Sequence, residues 1–417
     1  MILGKGSAQT KLTEHDVLDL CAEAFSDVRF DGKRVLAIIP DSTRSGPIDM
    51  MFRTICRLLS PRVKKLDFLI ALGTHPPMSD DAIYRHLGIT KETLATDYPG
   101  VSIFNHNAFD ESRLQHIVTF DGDDLDEVTG GLYREQVDVS VNRMIFDYDF
   151  LLLVGPTFPH ETMGFSGGNK YFFPGISGEK ITDTFHWIGA LVTSPLSVGR
   201  KDTPMRRLID RAATHIPVER LCLSYVVRER DLCGLFIGSP EEAFSAAADL
   251  SEQVHIVYHD RTYERILTCP SPKYDEIWAA GKGFGKVEAL VADGGEAILY
   301  APHVTELSVT YGPRIEEIGY HVRDYFLAQW DRFRNVPGNV LAQSCNLKGT
   351  GTFDNGIERP RVDVTLSTGL SEELCSRINL GYYDPGLISP EEWADREGDG
   401  VLYVPDSGEI LHLLENN

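Results

Sequence analysis

The sequence predicts an α/β protein of two domains, each a mostly parallel sheet flanked by helices, with the active site in the interdomain cleft. Three observations carry that prediction. Short apolar, β-branched runs alternate with stretches of helical periodicity, as in strand–helix–strand units. The first of these runs end in polar loops, where parallel sheets place their ligands. The 417 residues exceed what one ordinary core organises.

"KRVLAIIPD" (33–41) is a buried strand by its apolar run, and "PIDMMFRTICRLLS" (47–60) has helical periodicity. "KLDFLIALGTH" (65–75) and "DYDFLLLVGPT" (147–157) are further buried strands. The loops that follow the three strands read "DSTR", "GTHPPMSD" and "PTFPHETMGFSGGNK". "LTCPSPKYDEI" (267–277), with two prolines, is expected to be a linker. It bounds an N-terminal domain at 1–268 and a smaller C-terminal α/β domain at 275–417. The second domain opens on "WAAGKGFGKVEALVADGGEAILYAP", read as helix, Gly-Gly turn and strand, and closes on "VLYVPDSGEILHLLENN", read as a hairpin.

Apolar residues make up 42% of the chain and charged residues 24%, as in a soluble globular protein. No apolar run reaches the roughly 18–20 residues a membrane span needs, and the N-terminus is a poor signal peptide. The formal net charge of −22 argues against nucleic-acid and anionic-membrane partners. Seven scattered cysteines without a CxxC pair suit a reduced, cytoplasmic protein.

The candidate chemistry gathers in the loops. In "SGGNK", Gly167 and Gly168 would let backbone N–H groups approach a phosphate, and they equally fit a tight turn. Lys170 could be solvated, a phosphate partner or a covalent anchor, with the apolar "YFFPGI" after it to lower its pKa. Of 13 histidines, His75, His160 and His186 lie in or just after strand-end loops. Each could be a hydrogen-bonding residue, a general base or a metal ligand. Arg44 in "PDSTR" suits bidentate binding of a carboxylate or phosphate. Asp41 and Thr43 beside it could also be helix caps. Lys282 reads as an exposed helix lysine or as one facing the cleft.

Taken together, "DSTR", "LGTHPPMSD", "PHETMGFSGGNKYFFPGISG", "TDTFHW" and "AGKGFGKVEALVADGG" resemble, in order and over nearly the whole chain, the nickel-pincer-nucleotide lactate racemase family of 2-hydroxy acid racemases and epimerases. The most specific element is His160, the Gly-Phe-Ser-Gly-Gly run and Lys170, with His186 following 16 residues later. The resemblance implies that the cofactor is attached covalently at Lys170 through a thioamide and that His186 ligates the nickel. Ser166, Gly167, Gly168 and Thr43 would lie against the cofactor, which other proteins synthesise. It further implies inversion at C2 by proton-coupled hydride transfer, with His75 and His160 as the two bases. Asp41 and Arg44 fall at active-site positions, and Lys282 at that of a lysine contacting substrate. His106 in "FNHNAFD" fits the family pattern without an assigned role.

One stretch departs from the pattern. Where the family has a Tyr-Gln pair three to four residues before the second-domain lysine, this chain has Trp278 and Ala279. That implies an acid other than lactate, such as a sugar acid. Two rival readings are a Lys170 Schiff-base enzyme, which leaves His186 without a task, and a non-catalytic carrier of the cofactor, which has no need of His75 and His160.

Overall fold

A computed structural model describes residues 2–26 and 28–415 of the chain. Two compact units divide it: Met1–Phe158 with Phe165–Thr182 and Lys201–Val254, and Pro159–Gly164 with Asp183–Arg200 and His255–Asn417.

The first unit is built on a seven-stranded sheet in the order Leu3–Gly6, Asp231–Gly238, Glu219–Arg228, Phe150–Pro156, Arg34–Pro40, Lys65–Ala71 and Ser102–Asn105. The five strands from Glu219–Arg228 onward run parallel, and the outer two are antiparallel. Every residue of Phe150–Pro156 is buried, as is all of Arg34–Pro40 beyond its first residue. Strands covered on both faces become continuous apolar runs, which is why these were readable. The helix Ile48–Leu59 buries Ile48, Met51, Phe52, Ile55, Cys56 and Leu59 at helical spacing. Its Phe52 packs on Phe68 of the sheet with ring centroids 4.8 Å apart. A fully buried phenylalanine of this kind contributes roughly 1.5–3 kcal/mol.

Successive strands run one way from Arg34–Pro40 to Ser102–Asn105. The chain then returns to the other side of Arg34–Pro40 at Phe150–Pro156. The order therefore reverses between these two neighbours, and the carboxyl ends there open the crevice in which such sheets bind ligands. Asp41 follows the first of the two strands and Thr157 the second.

The second unit has a five-stranded sheet in the order Gly381–Tyr382, Asp363–Thr368, Val291–Ala301, Tyr263–Pro270 and Val401–Ser407, parallel throughout. Three local expectations need correction. The expected linker at 267–277 begins inside a strand: Leu267 pairs with Ile298 on one side and Tyr403 on the other. Pro270 is that strand's last residue, so its missing N–H interrupts little of the ladder. The cut at 268–275 thus falls at the end of a central strand of the second sheet, whereas the chain passes between the units at 254–255. Gly294 and Gly295 lie within the strand Val291–Ala301, where the register shifts and Gly294 takes a φ of +77°, a bulge and not a turn between elements. Finally, Val401–Ser407 and Leu411–Leu414 do not form a hairpin. The first pairs in parallel with Tyr263–Pro270 and the second in parallel with Ile256–His259.

Candidate active site

At the carboxyl edge of the first sheet, Asp41 is buried and its Oδ2 lies 2.5 Å from His75 Nδ1. Its Oδ1 accepts from the Thr43 hydroxyl at 2.5 Å and the Thr43 backbone N–H at 3.1 Å. Arg44 Nη1 donates to Thr43 Oγ1 at 2.8 Å, and the guanidinium sits 5.8 Å from the Phe158 ring centre. Burial alone would raise the Asp41 pKa. The His75 hydrogen bond and the Arg44 charge outweigh it and hold the carboxyl below its usual range. Asp41 is thus an ionised acceptor. An imidazole that gives its Nδ1 proton to such a carboxylate keeps the Nε2 lone pair for a substrate.

The Gly-rich loop lies on the same edge. Gly167 and Gly168 have φ of +88° and +59°. A Cβ on Gly167 would come 2.4 Å from Thr157 Oγ1, and one on Gly168 2.9 Å from Phe244 Cβ. Local packing alone therefore demands both glycines. Ser166 Oγ is likewise engaged by the chain, donating to Pro156 O at 3.0 Å and accepting from Phe158 N–H at 3.1 Å. The short helix Gly168–Tyr171 carries Lys170, which is half-buried. The buried Tyr171 explains Gly155, whose Cβ would fall 1.5 Å from the Tyr171 hydroxyl. Gly175 N–H donates to Lys170 O at 3.2 Å, and Gly73 N–H to Gly175 O at 2.9 Å. The Lys170 segment is therefore stitched to the loop that bears His75, and Asp41, Thr43, Arg44, His75 and Ser166–Lys170 all gather at one sheet edge of the first unit.

His160, His186 and Lys282 belong to the second unit. His160 is half-buried, and its Nδ1 lies 3.4 Å from Thr162 N and 3.3 Å from Thr162 Oγ1. His186 is on the helix Glu179–Val192, one turn before Gly189. A Cβ on Gly189 would come 2.7 Å from Thr162 Cβ, so the His160 segment packs directly on the helix of His186. Beside His160, the carboxylate of Glu161 is flanked by Lys286 and Lys282. Burial pushes its pKa up, and these two charges more than reverse the effect. Lys282 Nζ stands 5.5 Å from the Tyr274 ring centre. Trp278, one turn earlier, stacks on Tyr311 with centroids 4.8 Å apart.

A sequence model described as "Lactate racemase N-terminal domain" matches residues 10–196, a span that holds every candidate above except Lys282. The lactate racemase of Lactiplantibacillus plantarum is 26% identical over 279 residues, which are 65% of this chain and 60% of that protein. Residues 10–196 thus carry a lactate racemase N-terminal domain. It is also similar, at 32% identity and a TM-score of 0.85, to a protein of Thermotoga maritima known from its crystal structure, over 97% of this chain and 99% of that one. The lactate racemase apoprotein of Thermoanaerobacterium thermosaccharolyticum shares the fold, with a TM-score of 0.75 at 18% identity over 97% of this chain and 93% of that one.

Around this lactate racemase-type domain, several supporting residues escape a reading of the sequence. Arg206 is buried, donates to Gly167 O at 3.0 Å and Phe165 O at 2.5 Å, and lies 3.8 Å from the Phe244 ring centre. It shapes the Gly-rich loop from beneath. Asn169 Nδ2 donates to Asp210 Oδ1 at 3.0 Å and Glu241 Oε1 at 2.6 Å, fixing the residue next to Lys170. His106 also gains a role. Its Nε2 donates to Ser177 O at 2.9 Å and its Nδ1 accepts from Asn142 Nδ2 at 3.1 Å. Burial lowers its pKa to about 4, so it is a neutral tie behind the Lys170 segment.

Proposed function

We propose that the protein is an isomerase that inverts C2 of a 2-hydroxy acid, using a nickel-pincer nucleotide attached to Lys170. The carrying observation is the buried, ionised Asp41 holding His75 Nδ1 beside Arg44, on the sheet edge to which the Lys170 segment is bonded. A base oriented by a buried carboxylate beside an arginine has no use in storage, which favours catalysis over the carrier reading.

When bound, the cofactor supplies a nickel-activated hydride acceptor. Lys170 would anchor it, and His186 would give the metal an imidazole donor. In this reading, as the resemblance implies, the remaining donors come from the nucleotide. Their own packing accounts for Gly167, Gly168 and Ser166, so in this reading the cofactor would meet the loop mainly at Lys170.

Arg44 and Lys282 would hold the substrate carboxylate. His75 Nε2 takes the C2 hydroxyl proton, and the Asp41 carboxylate stabilises the imidazolium that results. Thr162 donates to His160 Nδ1, which leaves the His160 proton on Nε2. To return a proton to the 2-keto oxygen His160 has first to take one up and act as the imidazolium, while His75 starts as the free base. For the opposite stereoisomer the two exchange roles. All seven cysteines are free, in keeping with a reducing compartment such as the cytoplasm. No described helix is long and apolar enough to cross a membrane.

Intact mass and peptide mapping of the chain produced together with cofactor-synthesis proteins test the reading. A nucleotide-sized adduct on Lys170, together with loss of stereochemical purity in a 2-hydroxy acid, is expected. An unmodified Lys170 in material that is active would overturn it.

A further inference from the structure

Lys286 is almost wholly buried, at 1% exposure, yet it carries a charged amine. Its Nζ donates to Pro159 O at 2.7 Å and lies 3.3 Å from Glu161 Oε1. Those contacts fall on the residues either side of His160. The single helical turn that delivers Lys286 is closed by Lys286 N–H to Lys282 O at 3.1 Å, and His412 N–H donates to Lys286 O at 2.8 Å. Gly285 leaves room for the carboxylate, since a Cβ there would stand 3.2 Å from Glu161 Cγ. A buried ion pair is a poor device for stability, because desolvation cancels most of its attraction and apolar residues of the same shape do as well. What it does provide is direction: charged hydrogen bonds to fixed acceptors hold a strand in one place.

We propose that Lys286 and Glu161 are positioning residues, a buried clamp on the two peptide units that flank His160, setting its imidazole for proton transfer. The inference rests on the reading of His160 as a base. Thr162 secures the ring from the chain's far side at Nδ1, and the clamp secures the backbone from beneath. The same turn sets Lys282 and Lys286 four residues apart on one helical face, so the clamp also fixes the origin of the lysine assigned to the substrate carboxylate.

The test uses the full chain without cofactor. Diethyl pyrocarbonate modifies neutral imidazoles, and the rate at His160 is followed at pH 7 by mass spectrometry of its peptide, with His75 as the internal reference. Glu161→Gln keeps the shape and the bond to Pro159 O, whereas Lys286→Met removes both contacts. We expect His160 in Lys286→Met to react roughly tenfold faster than in the native chain, the population shift allowed by losing a buried charge-assisted bond. Glu161→Gln should fall between, with His75 within about twofold throughout. If Lys286→Met does not fold, Glu161→Gln alone decides, and a His160 rate equal to that of the native chain overturns the clamp. Separately, a cofactor-loaded His160→Gln variant that retained full activity would remove the base reading and leave the reactivity result standing.

Discussion

Asp41 Oδ2 and His75 Nδ1 meet at 2.5 Å across two neighbouring parallel strands, with the carboxylate buried and the imidazole exposed. The contact fixes which ring nitrogen is left for chemistry. Asp41→Asn can keep the shape but offers no full negative charge to an imidazolium. Steady-state kinetics of inversion should show kcat reduced by roughly 10²–10⁴-fold with KM little changed. A reduction confined to KM would assign Asp41 to substrate binding instead.

Gly155→Ala tests how the Lys170 turn is seated. A Cβ at 1.5 Å from the Tyr171 hydroxyl has to displace that ring, and with it the turn. Overpacking of this kind costs about 1–3 kcal/mol. Chemical unfolding should register that loss, and intact mass should show a smaller cofactor-modified fraction. A variant as stable and as fully modified as the native chain would mean the turn relocates freely.

Lys170→Ala and His186→Ala separate anchor from ligand. The first removes the attachment, so nickel should be absent after desalting. The second leaves a covalently held group with one donor fewer, so nickel should be retained in part. Full nickel occupancy in Lys170→Ala, measured by elemental analysis, would contradict the anchor role.

Acid should weaken the fold partly through His106. Its folded-state pKa is depressed from 6.5 to about 4 by burial. Between those values the unfolded chain binds the proton and the folded chain does not, so stability is complete above about 6.5 and falls as pH drops toward 4. The slope for one such group approaches ~1.4 kcal/mol per pH unit. His412, also lowered to about 4, adds a similar term in the second unit. Hydrogen exchange of the 102–108 and 174–178 segments at pH 7 and 5 should show this protection lost in the native chain and much less pH-dependent in His106→Gln.

Substrate choice should follow the aromatic residues before Lys282. Trp278 stacked on Tyr311 presents a flat apolar surface where the family pattern has Tyr-Gln, and Ala279 offers no hydrogen bond there. A larger or hydroxylated 2-hydroxy acid, such as a sugar acid, is expected to outpace lactate. Changes in a buried polar contact can shift discrimination by up to ~10⁴-fold. Exchange of the C2 hydrogen across a panel of acids settles it, and lactate as the fastest substrate would refute the inference from Trp278 and Ala279.

Much of the first sheet was legible because Arg34–Pro40 and Phe150–Pro156 are covered on both faces and are apolar almost throughout, and Lys65–Ala71 is interrupted only by the buried Asp67. Tyr263–Pro270 is just as central in the second sheet, yet its two charged residues and terminal proline resemble a boundary. Hairpin chemistry in "VPDSG" was misleading for another reason: local turn residues do not say which strand the chain will pair with next. At the site, His75, Asp41 and Arg44 stood out because they follow obvious strands. Lys286, Glu161 and Arg206 did not. A charged residue becomes a buried clamp only through partners far away in sequence, and nothing in "GFGK" or "PMRRL" distinguishes it from a solvated one.

The chain passes between its two units at 158–159, 164–165, 182–183, 200–201 and 254–255. No single cut therefore yields either unit as one continuous piece. During synthesis the first sheet lacks the strands Glu219–Arg228 and Asp231–Gly238 until those late residues emerge, while Pro159–Gly164 and Asp183–Arg200 wait for partners made later still. His160 and His186 ride on those waiting segments. A truncated chain would thus lose its chemistry before its first sheet, and recombination between relatives would have to exchange both units at once to keep the histidines in register with the sheet that holds them.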